Sequence, residues 1–117
     1  GVSMENCLFC KMASGEIQPD VVYDDEEVLA FRDINPQAPV HVLVIPKRHI
    51  STLNDLEPGD TELMGKLFQA AKSIARQEGI ADDGYRTLVN CNANGGQEVF
   101  HIHLHLVGGR RMSWPPG

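Results

Sequence analysis

The segment from Val99 to Val107 alternates apolar residues with histidines through most of its length. Successive side chains of a β-strand point to opposite faces, so this pattern predicts a strand that carries imidazoles on one face only. Those imidazoles belong to His101, His103 and His105. The other face carries apolar side chains and is expected to cover a hydrophobic core; its members are Phe100, Ile102, Leu104 and Leu106. The imidazole face must line something polar.

Three interpretations of the imidazole face are open at this point. The histidines could be hydrogen-bonded side chains on a half-exposed sheet. They could bind a metal ion, since imidazole is the commonest metal ligand. They could also support catalysis at phosphorus, in which one imidazole attacks and its neighbours stabilise the developing charge. Spacing alone does not separate the last two.

The residues before the histidine segment favour an anionic ligand. Side-chain amides and a Gly-Gly turn precede it, at Asn90, Asn92, Asn94, Gly95, Gly96 and Gln97. Amide groups and exposed backbone N–H groups suit an anionic oxygen. The formal net charge is −6, from 10 basic and 16 acidic residues. This charge argues against nucleic-acid binding through neutralisation of backbone phosphates. One phosphate held by local dipoles remains compatible with that charge.

The rest of the chain predicts an α+β fold. Its 117 residues suit one domain. Apolar residues recur at helical spacing over 5–14 and over 61–78, which predicts one short and one long helix. Five strands are predicted, over 21–24, 28–33, 41–45, 85–91 and 98–107. Links of hairpin length between several strands indicate a mainly antiparallel sheet.

The ends of the sequence and its cysteines suggest a compartment. Residues 1–3 resemble a tag remnant, so we take 4–117 as a single domain with a C-terminal tail over 110–117. An apolar signal segment is not evident, and three cysteines do not form a secreted disulfide framework. We therefore expect a cytoplasmic protein without membrane or nucleic-acid partners. The longest apolar runs are too short to span a bilayer.

At this point the sequence resembles a known family. The segment His101-Ile-His-Leu-His-Leu-Val matches the signature of the histidine-triad (HIT) superfamily. Further similarity to its HINT branch runs through Val28–Asp33, Ile34–Pro39, His41–Lys47, Gly95–Gln97 and Trp114–Gly117. The resemblance implies a HIT-like α+β homodimer that hydrolyses purine nucleoside 5′-phosphoramidates. A covalent nucleotidyl-histidine would form, and an amine and a nucleoside monophosphate would be released.

The resemblance also assigns roles residue by residue. His103 would be the nucleophile, and His105 would contact the phosphate and assist the leaving group. His101 and His41 would support the triad. The nucleotide would be held by a ribose acceptor (Asp33), an apolar slot (Leu8, Phe9, Met12, Phe31, Ile34) and phosphate contacts (Asn90, Gly96). Trp114 would lie on the leaving-group side, across the dimer.

Two departures from the HINT pattern stand out. Glu98 occupies a position where relatives of the eukaryotic type carry a small hydroxyl residue, and its carboxylate would repel a phosphate. The pair Cys7 and Cys10 is absent from many HINT members. Elsewhere in the superfamily such a pair binds structural zinc, and the matching set here is Cys7, Cys10, His49 and His101, which suits tetrahedral zinc. Without zinc, Cys7 and Cys10 would be small buried hydrophobes.

Two functions of different classes therefore compete. The first is a phosphoramidase whose catalysis needs no cofactor, with structural zinc as an addition. The second is a non-catalytic protein that binds a nucleotide or zinc. Turnover that depends on His103 and resists chelators would distinguish the first from the second.

Overall fold

Five antiparallel strands form one sheet in the computed structural model, which describes residues 6–117. Their order across the sheet is β1-β2-β3-β5-β4, and every neighbouring pair is antiparallel. The strands are β1 (Val21–Asp24), β2 (Val28–Arg32), β3 (Val40–Pro46), β4 (Tyr85–Leu88) and β5 (Leu104–Gly108). The predicted α+β class with a five-stranded sheet is confirmed.

Within residues 6–117 three α-helices accompany the sheet: α1 (Leu8–Ala13), α2 (Thr61–Gln77) and α3 (Asn92–Gly95). Helix α2 buries an apolar stripe that repeats every three or four residues, and Leu67 and Ile74 lie at its centre. Burying each of these two side chains contributes about 1.5–3 kcal/mol. Gly79, at φ +75°, supplies the left-handed residue after α2 and donates its N–H to Arg76.

Alternation along β3 separates two apolar clusters. Val42 and Val44 pack in the main core with the stripe of α2, together with Leu104 and Leu106 of β5. Leu43 and Ile45 belong to a second cluster, with Phe9 of helix α1. Side chains two positions apart on a strand share a face, so His41 lies on the same face as Leu43. That face of the sheet carries the histidines.

Strands β2 and β3 differ from the predicted ranges by one residue at one or both ends, and three other predictions need larger corrections. The last strand begins at Leu104 rather than at 98, because Ile102 donates its N–H to the loop residue Ile50 at 2.6 Å. Phe100 accordingly leaves the apolar face and lines an open surface depression with Arg48 and Asp55. Strand β4 ends at Leu88 rather than Cys91, and residues 92–95 form helix α3 instead of a loop.

The predicted helices shorten at their ends. Helix α1 covers Leu8–Ala13, whereas the prediction was 5–14, and residue 5 lies outside the described residues. The presumed tag residues 1–3 lie outside them as well. Within 6–117, none of the helices has the length and apolar character that crossing a bilayer requires.

Candidate active site

Four histidines from three parts of the chain meet on the α1 face of the sheet. Strand β3 contributes His41 and strand β5 contributes His105, and the antiparallel register places Leu43 opposite His105. Nε2 of His41 lies 3.0 Å from Nδ1 of His105. His103 and His101 precede β5, and the rings of His103 and His105 have centroids 4.9 Å apart. All of these rings except His105 are buried.

A single chain of hydrogen bonds determines which nitrogen of each ring carries a proton. The backbone N–H of Gln37 donates to Nδ1 of His41 at 3.0 Å, so the neutral His41 ring carries its proton on Nε2. His41 then donates to Nδ1 of His105, and the neutral His105 ring carries its proton on Nε2. This Nε2 is the one buried side-chain nitrogen or oxygen among residues 6–117 that lacks a hydrogen-bond partner. The Nε2–H of His105 is therefore available to donate a hydrogen bond to a ligand.

His103 has the complementary arrangement. Its Nδ1–H donates to the backbone carbonyl of His101 at 2.8 Å, which leaves a lone pair on Nε2 of the neutral ring. Phe9 packs its ring perpendicular to that of His103, with centroids 5.2 Å apart. The site thus pairs a nitrogen lone pair on His103 with an N–H donor on His105, as attack on an electrophile beside an anionic oxygen requires.

Burial keeps these rings neutral near pH 7. Desolvation, together with smaller effects of the neighbouring His103 and His41, lowers the pKa of His105 to about 4. Burial also lowers the pKa of His103 and of His41, while the carboxylate of Asp33 acts in the opposite direction on all three rings. A neutral imidazole keeps the lone pair that a nucleophile needs.

Asp33 lies at the edge of the histidine cluster. Its Oδ2 is 3.4 Å from Nε2 of His41, and its Oδ1 accepts the N–H of Asn35 at 2.8 Å. The Asp33 N–H donates to the carbonyl of His41 at 2.9 Å, which ties the two residues together through the backbone. The Asp33 side chain is 18% exposed, so a ligand can reach its carboxylate.

The residues predicted to form the base slot divide into two groups. Phe9 and Phe31 are buried in one cluster, on which Met12 packs. Leu8 is 42% exposed and Ile34 is 99% exposed. Phe9 and Phe31 are thus too buried for direct contact with a ligand, whereas Leu8 and Ile34 are accessible to one.

The predicted phosphate loop is a connected unit. Gly95 lies against Asn90, since a Cβ added at Gly95 would be 3.6 Å from the Asn90 carbonyl carbon. The side chain of Gln97 accepts the N–H of Asn92 at 2.9 Å and donates to the carbonyl of Ser51 at 2.8 Å. Gly96 takes the left-handed conformation at φ +81°. The neighbouring Glu98 is exposed.

The C-terminal tail rests beside strand β4. Arg86 of β4 donates to the carbonyl of Ser113 at 3.1 Å, and its guanidinium lies 5.9 Å from the centre of the Trp114 ring. Trp114 itself is 81% exposed. The tail is therefore held at β4, an outer strand of the sheet, and its indole is exposed.

A second constellation lies next to the histidine cluster. Donor atoms of Cys7, Cys10, His49 and His101 all lie within 4.8 Å of one another. Nδ1 of His101 is 3.3 Å from Cys7 Sγ, 3.5 Å from Cys10 Sγ and 3.2 Å from Nδ1 of His49. Donor atoms around a tetrahedral zinc are spaced roughly 3.3–3.8 Å apart, given Zn–S of about 2.3 Å and Zn–N of about 2.0 Å.

The ring orientations also fit a metal ion. Nε2 of His101 donates to the carbonyl of Pro46 at 2.7 Å, and Nε2 of His49 lies 3.1 Å from the Ser51 hydroxyl. Each ring therefore turns Nδ1 toward the cysteines. In metal-bound histidines, too, the ring nitrogen that does not bind the metal is hydrogen-bonded to a protein acceptor. Burial raises the pKa of the Cys10 thiol to about 11, so a thiolate there needs a cation beside it. The four residues fit zinc.

A group of Asp33, His41 and His105 also lies within 4.8 Å but does not fit a metal ion. The Gln37 N–H occupies Nδ1 of His41, so Nε2 of that ring carries a proton and has no lone pair to donate. The structure thus separates two groups of histidines that sequence spacing could not. His49 and His101 lie with the cysteines in a group that fits a metal, whereas His41 and His105 form a hydrogen-bonded pair with defined proton positions.

Sequence reasoning missed the groups that orient the rings. The Gln37 N–H and the carbonyls of Pro46 and His101 are backbone atoms, which no side-chain pattern reveals. The Ser51 hydroxyl beside His49 also went unnoticed. The two prolines around Gln37 were the available signal, because they fix a loop next to His41.

Acidification should destabilise the fold through His105. Its pKa falls from 6.5 to about 4 on folding, so the unfolded chain binds more protons between those values and stability rises with pH across that window. Chemical unfolding measured over this range should show a shallower pH dependence for His105→Gln than for the wild type. If the free energy of unfolding changed equally with pH in the two proteins, the lowered pKa of His105 would be contradicted.

Comparison with known proteins identifies the family of this chain. A family model described as HIT domain matches residues 14–112. Purine nucleoside phosphoramidase of Escherichia coli (strain K12) is 52% identical over 108 residues, covering 92% of this chain and 91% of that protein. The 14 kDa zinc-binding protein of Zea mays is 52% identical over 112 residues, covering 94% of this chain and 87% of that protein.

A solved structure shows the same fold. The HIT family hydrolase from Legionella pneumophila Philadelphia 1 superposes with a TM-score of 0.94 at 58% identity, covering 96% of this chain and 100% of that one. The resemblance inferred from the histidine segment is confirmed. With the family model matched over residues 14–112, the chain belongs to the HIT domain family.

Proposed function

We propose that this protein hydrolyses the P–N bond of purine nucleoside 5′-phosphoramidates. The observation that carries the proposal is the unpartnered Nε2–H of His105 beside the nitrogen lone pair of His103. A buried donor without a partner is costly unless a ligand supplies the acceptor. A phosphoryl oxygen is such an acceptor, and the 52% identity to a purine nucleoside phosphoramidase supports this substrate class.

The chemistry follows from the proton positions. Nε2 of His103 forms a bond to phosphorus, and the P–N bond breaks with its electron pair going to nitrogen. The departing amine takes a proton from His105 Nε2, which solvent replaces. Water then attacks phosphorus, the bond to His103 breaks with its electron pair returning to Nε2, and one proton is released to solvent. The products are an amine and a nucleoside monophosphate.

The remaining residues would position the substrate. The carbonyl of His101 keeps the nucleophile's proton on Nδ1, and His41 keeps that of His105 on Nε2. The Asp33 carboxylate would accept a ribose hydroxyl, and the loop of Asn90 and Gly96 would face the phosphate. Leu8 and Ile34 would contact the base, over the support of Phe9, Phe31 and Met12.

Replacing the nucleophile should abolish turnover. We expect His103→Ala to lower kcat on a fluorogenic tryptamine–adenosine phosphoramidate by at least about a thousandfold, because no other group can form the covalent bond. Asp82→Ala, at an exposed turn, is the control. Mass spectrometry of quenched wild-type enzyme should detect nucleotide on His103. Activity of His103→Ala within a few-fold of wild type would contradict the mechanism, and bound nucleotide without turnover would favour the non-catalytic alternative.

We also propose that Cys7, Cys10, His49 and His101 hold a structural zinc ion. The donor spacing and the outward hydrogen bonds of both imidazoles support it. When bound, the metal would join α1 to the segment before β5, and the catalytic steps above do not involve it. The name of the Zea mays relative, a zinc-binding protein, is consistent with this proposal.

Metal analysis tests this proposal with a matched control. Protein purified without a histidine tag should contain about one zinc per chain, as a four-ligand site holds one ion. Cys7→Ser and Cys10→Ser should lose the zinc and melt at a lower temperature. Cys91→Ser, the control at the third cysteine, should retain it. Substoichiometric zinc in the wild type, or equal zinc in all variants, would contradict the site.

A homodimer is the expected assembly. Strand β4 is one of the two outer strands of the sheet, and within residues 6–117 it pairs with β5 alone. Helix α2 exposes 54% of Phe68, a large apolar surface on the element that covers the sheet. A second copy could cover both features. The tail held at β4 would then bring Trp114 toward the partner's site, on the leaving-group side.

The mass in solution tests the assembly. Light scattering should give twice the chain mass for the wild type, because the apolar surface at Phe68 is buried between copies. Phe68→Glu should give the monomer, since a charge would be buried there. Gln69→Glu adds the same charge at the adjacent exposed position and should remain dimeric. A monomeric wild type would contradict the proposal.

A further inference from the structure

His41 has one proton to donate and two acceptors within reach of it. Its Nε2 lies 3.0 Å from Nδ1 of His105 and 3.4 Å from Oδ2 of Asp33. The other nitrogen of the ring accepts the Gln37 N–H at 3.0 Å, so the neutral ring has no second N–H. The His41 side chain is only 5% exposed, so water has little access to the shared proton on Nε2.

The two acceptors have different consequences for the site. When His41 donates to His105, the His105 proton is held on Nε2, where it meets the phosphoryl group. When His41 donates to Asp33, Nδ1 of His105 loses its donor, and the His105 ring becomes free to carry its proton on Nδ1. In that tautomer Nε2 has a lone pair, which repels an anionic oxygen and has no proton for the departing amine.

The carboxylate of Asp33 is the stronger acceptor because it is charged. One of its oxygens is already engaged by the Asn35 N–H at 2.8 Å. The exposed fraction of the side chain leaves the carboxylate open to a donor from outside. A hydroxyl group donating there would take up the remaining acceptor capacity and direct the His41 proton to His105.

We propose that Asp33 is a positioning residue that couples occupation of the ribose site to the tautomer of His105, through the single shared proton of His41. This inference rests on the proposed phosphoramidase function and on a ribose hydroxyl as the donor to Asp33. A substrate with its ribose diol in place completes the catalytic arrangement. A substrate without the diol binds next to an incompletely ordered His105.

Kinetics with matched substrates test the coupling. Two adenosine phosphoramidates with the same amine are compared in single turnovers, one with ribose and one with 2′,3′-dideoxyribose. In the wild type we expect the dideoxy substrate to react about tenfold more slowly at saturation, the effect of losing one well-formed hydrogen bond. A diol that served only for binding would change KM and leave the saturating rate equal, and that result would overturn the inference.

The Asp33→Ala variant gives the sharper expectation. With the competing carboxylate removed, His41 donates to His105 whatever the substrate, so the two saturating rates should become equal. The variant should also process the dideoxy substrate faster than the wild type does. Asp82→Ala, which removes an exposed carboxylate elsewhere, should keep the wild-type ratio. A ratio retained in Asp33→Ala would overturn the proposal.

Nitrogen NMR of ¹⁵N-histidine-labelled wild type gives a readout that needs neither turnover nor a folded variant. With adenosine 5′-monophosphate bound, His105 should show the Nε2–H tautomer. With 2′,3′-dideoxyadenosine 5′-monophosphate bound, its signals should shift toward a mixture. Identical His105 signals with the two nucleotides would overturn the coupling.

The two proposals fail in different ways. Binding of both nucleotides without hydrolysis of any phosphoramidate defeats the hydrolase function, while the NMR comparison still decides whether Asp33 controls the tautomer. Hydrolysis at a saturating rate that ignores the diol defeats the coupling and leaves the hydrolase function standing.

Discussion

The pairing of β3 with β5 is the constraint on which the site depends. Its register sets Leu43 opposite His105, and the alternation of side chains then places His41 on the same face. The two rings, 64 positions apart in sequence, meet at 3.0 Å only because their strands are neighbours in the sheet. Helix α2 keeps them so, because it packs on the opposite face through Val42, Val44, Leu104 and Leu106.

His101 connects the two halves of the site. Its ring belongs to the cysteine cluster, and its backbone carbonyl accepts a hydrogen bond from Nδ1–H of His103. Phe9, which lies between the two cysteines in sequence, packs edge-on against the rings of both His101 and His103. Helix α1 therefore contacts the His103 ring through Phe9, a residue that also packs in the apolar cluster between the helix and the sheet.

The sequence predicted the fold class and the residues that gather, because both depend on side-chain patterns. Alternation revealed the histidine segment, and helical spacing revealed α2. The start of β5 could not be predicted, since the Ile102 N–H leaves the strand ladder for a carbonyl fifty residues away. The proton positions on the histidine rings could not be predicted either. They depend on the Gln37 N–H and on backbone carbonyls whose positions only the tertiary structure determines.

The acceptor that orients His103 is a main-chain oxygen, and this limits how the site can be altered. Every residue type supplies the same carbonyl at position 101, so no exchange of side chain there deletes that hydrogen bond directly. Variation at 101 can change the cysteine cluster while the His103 ring keeps its orientation, provided that the backbone stays in place. The orientation of the His103 ring is thus independent of which side chain occupies position 101.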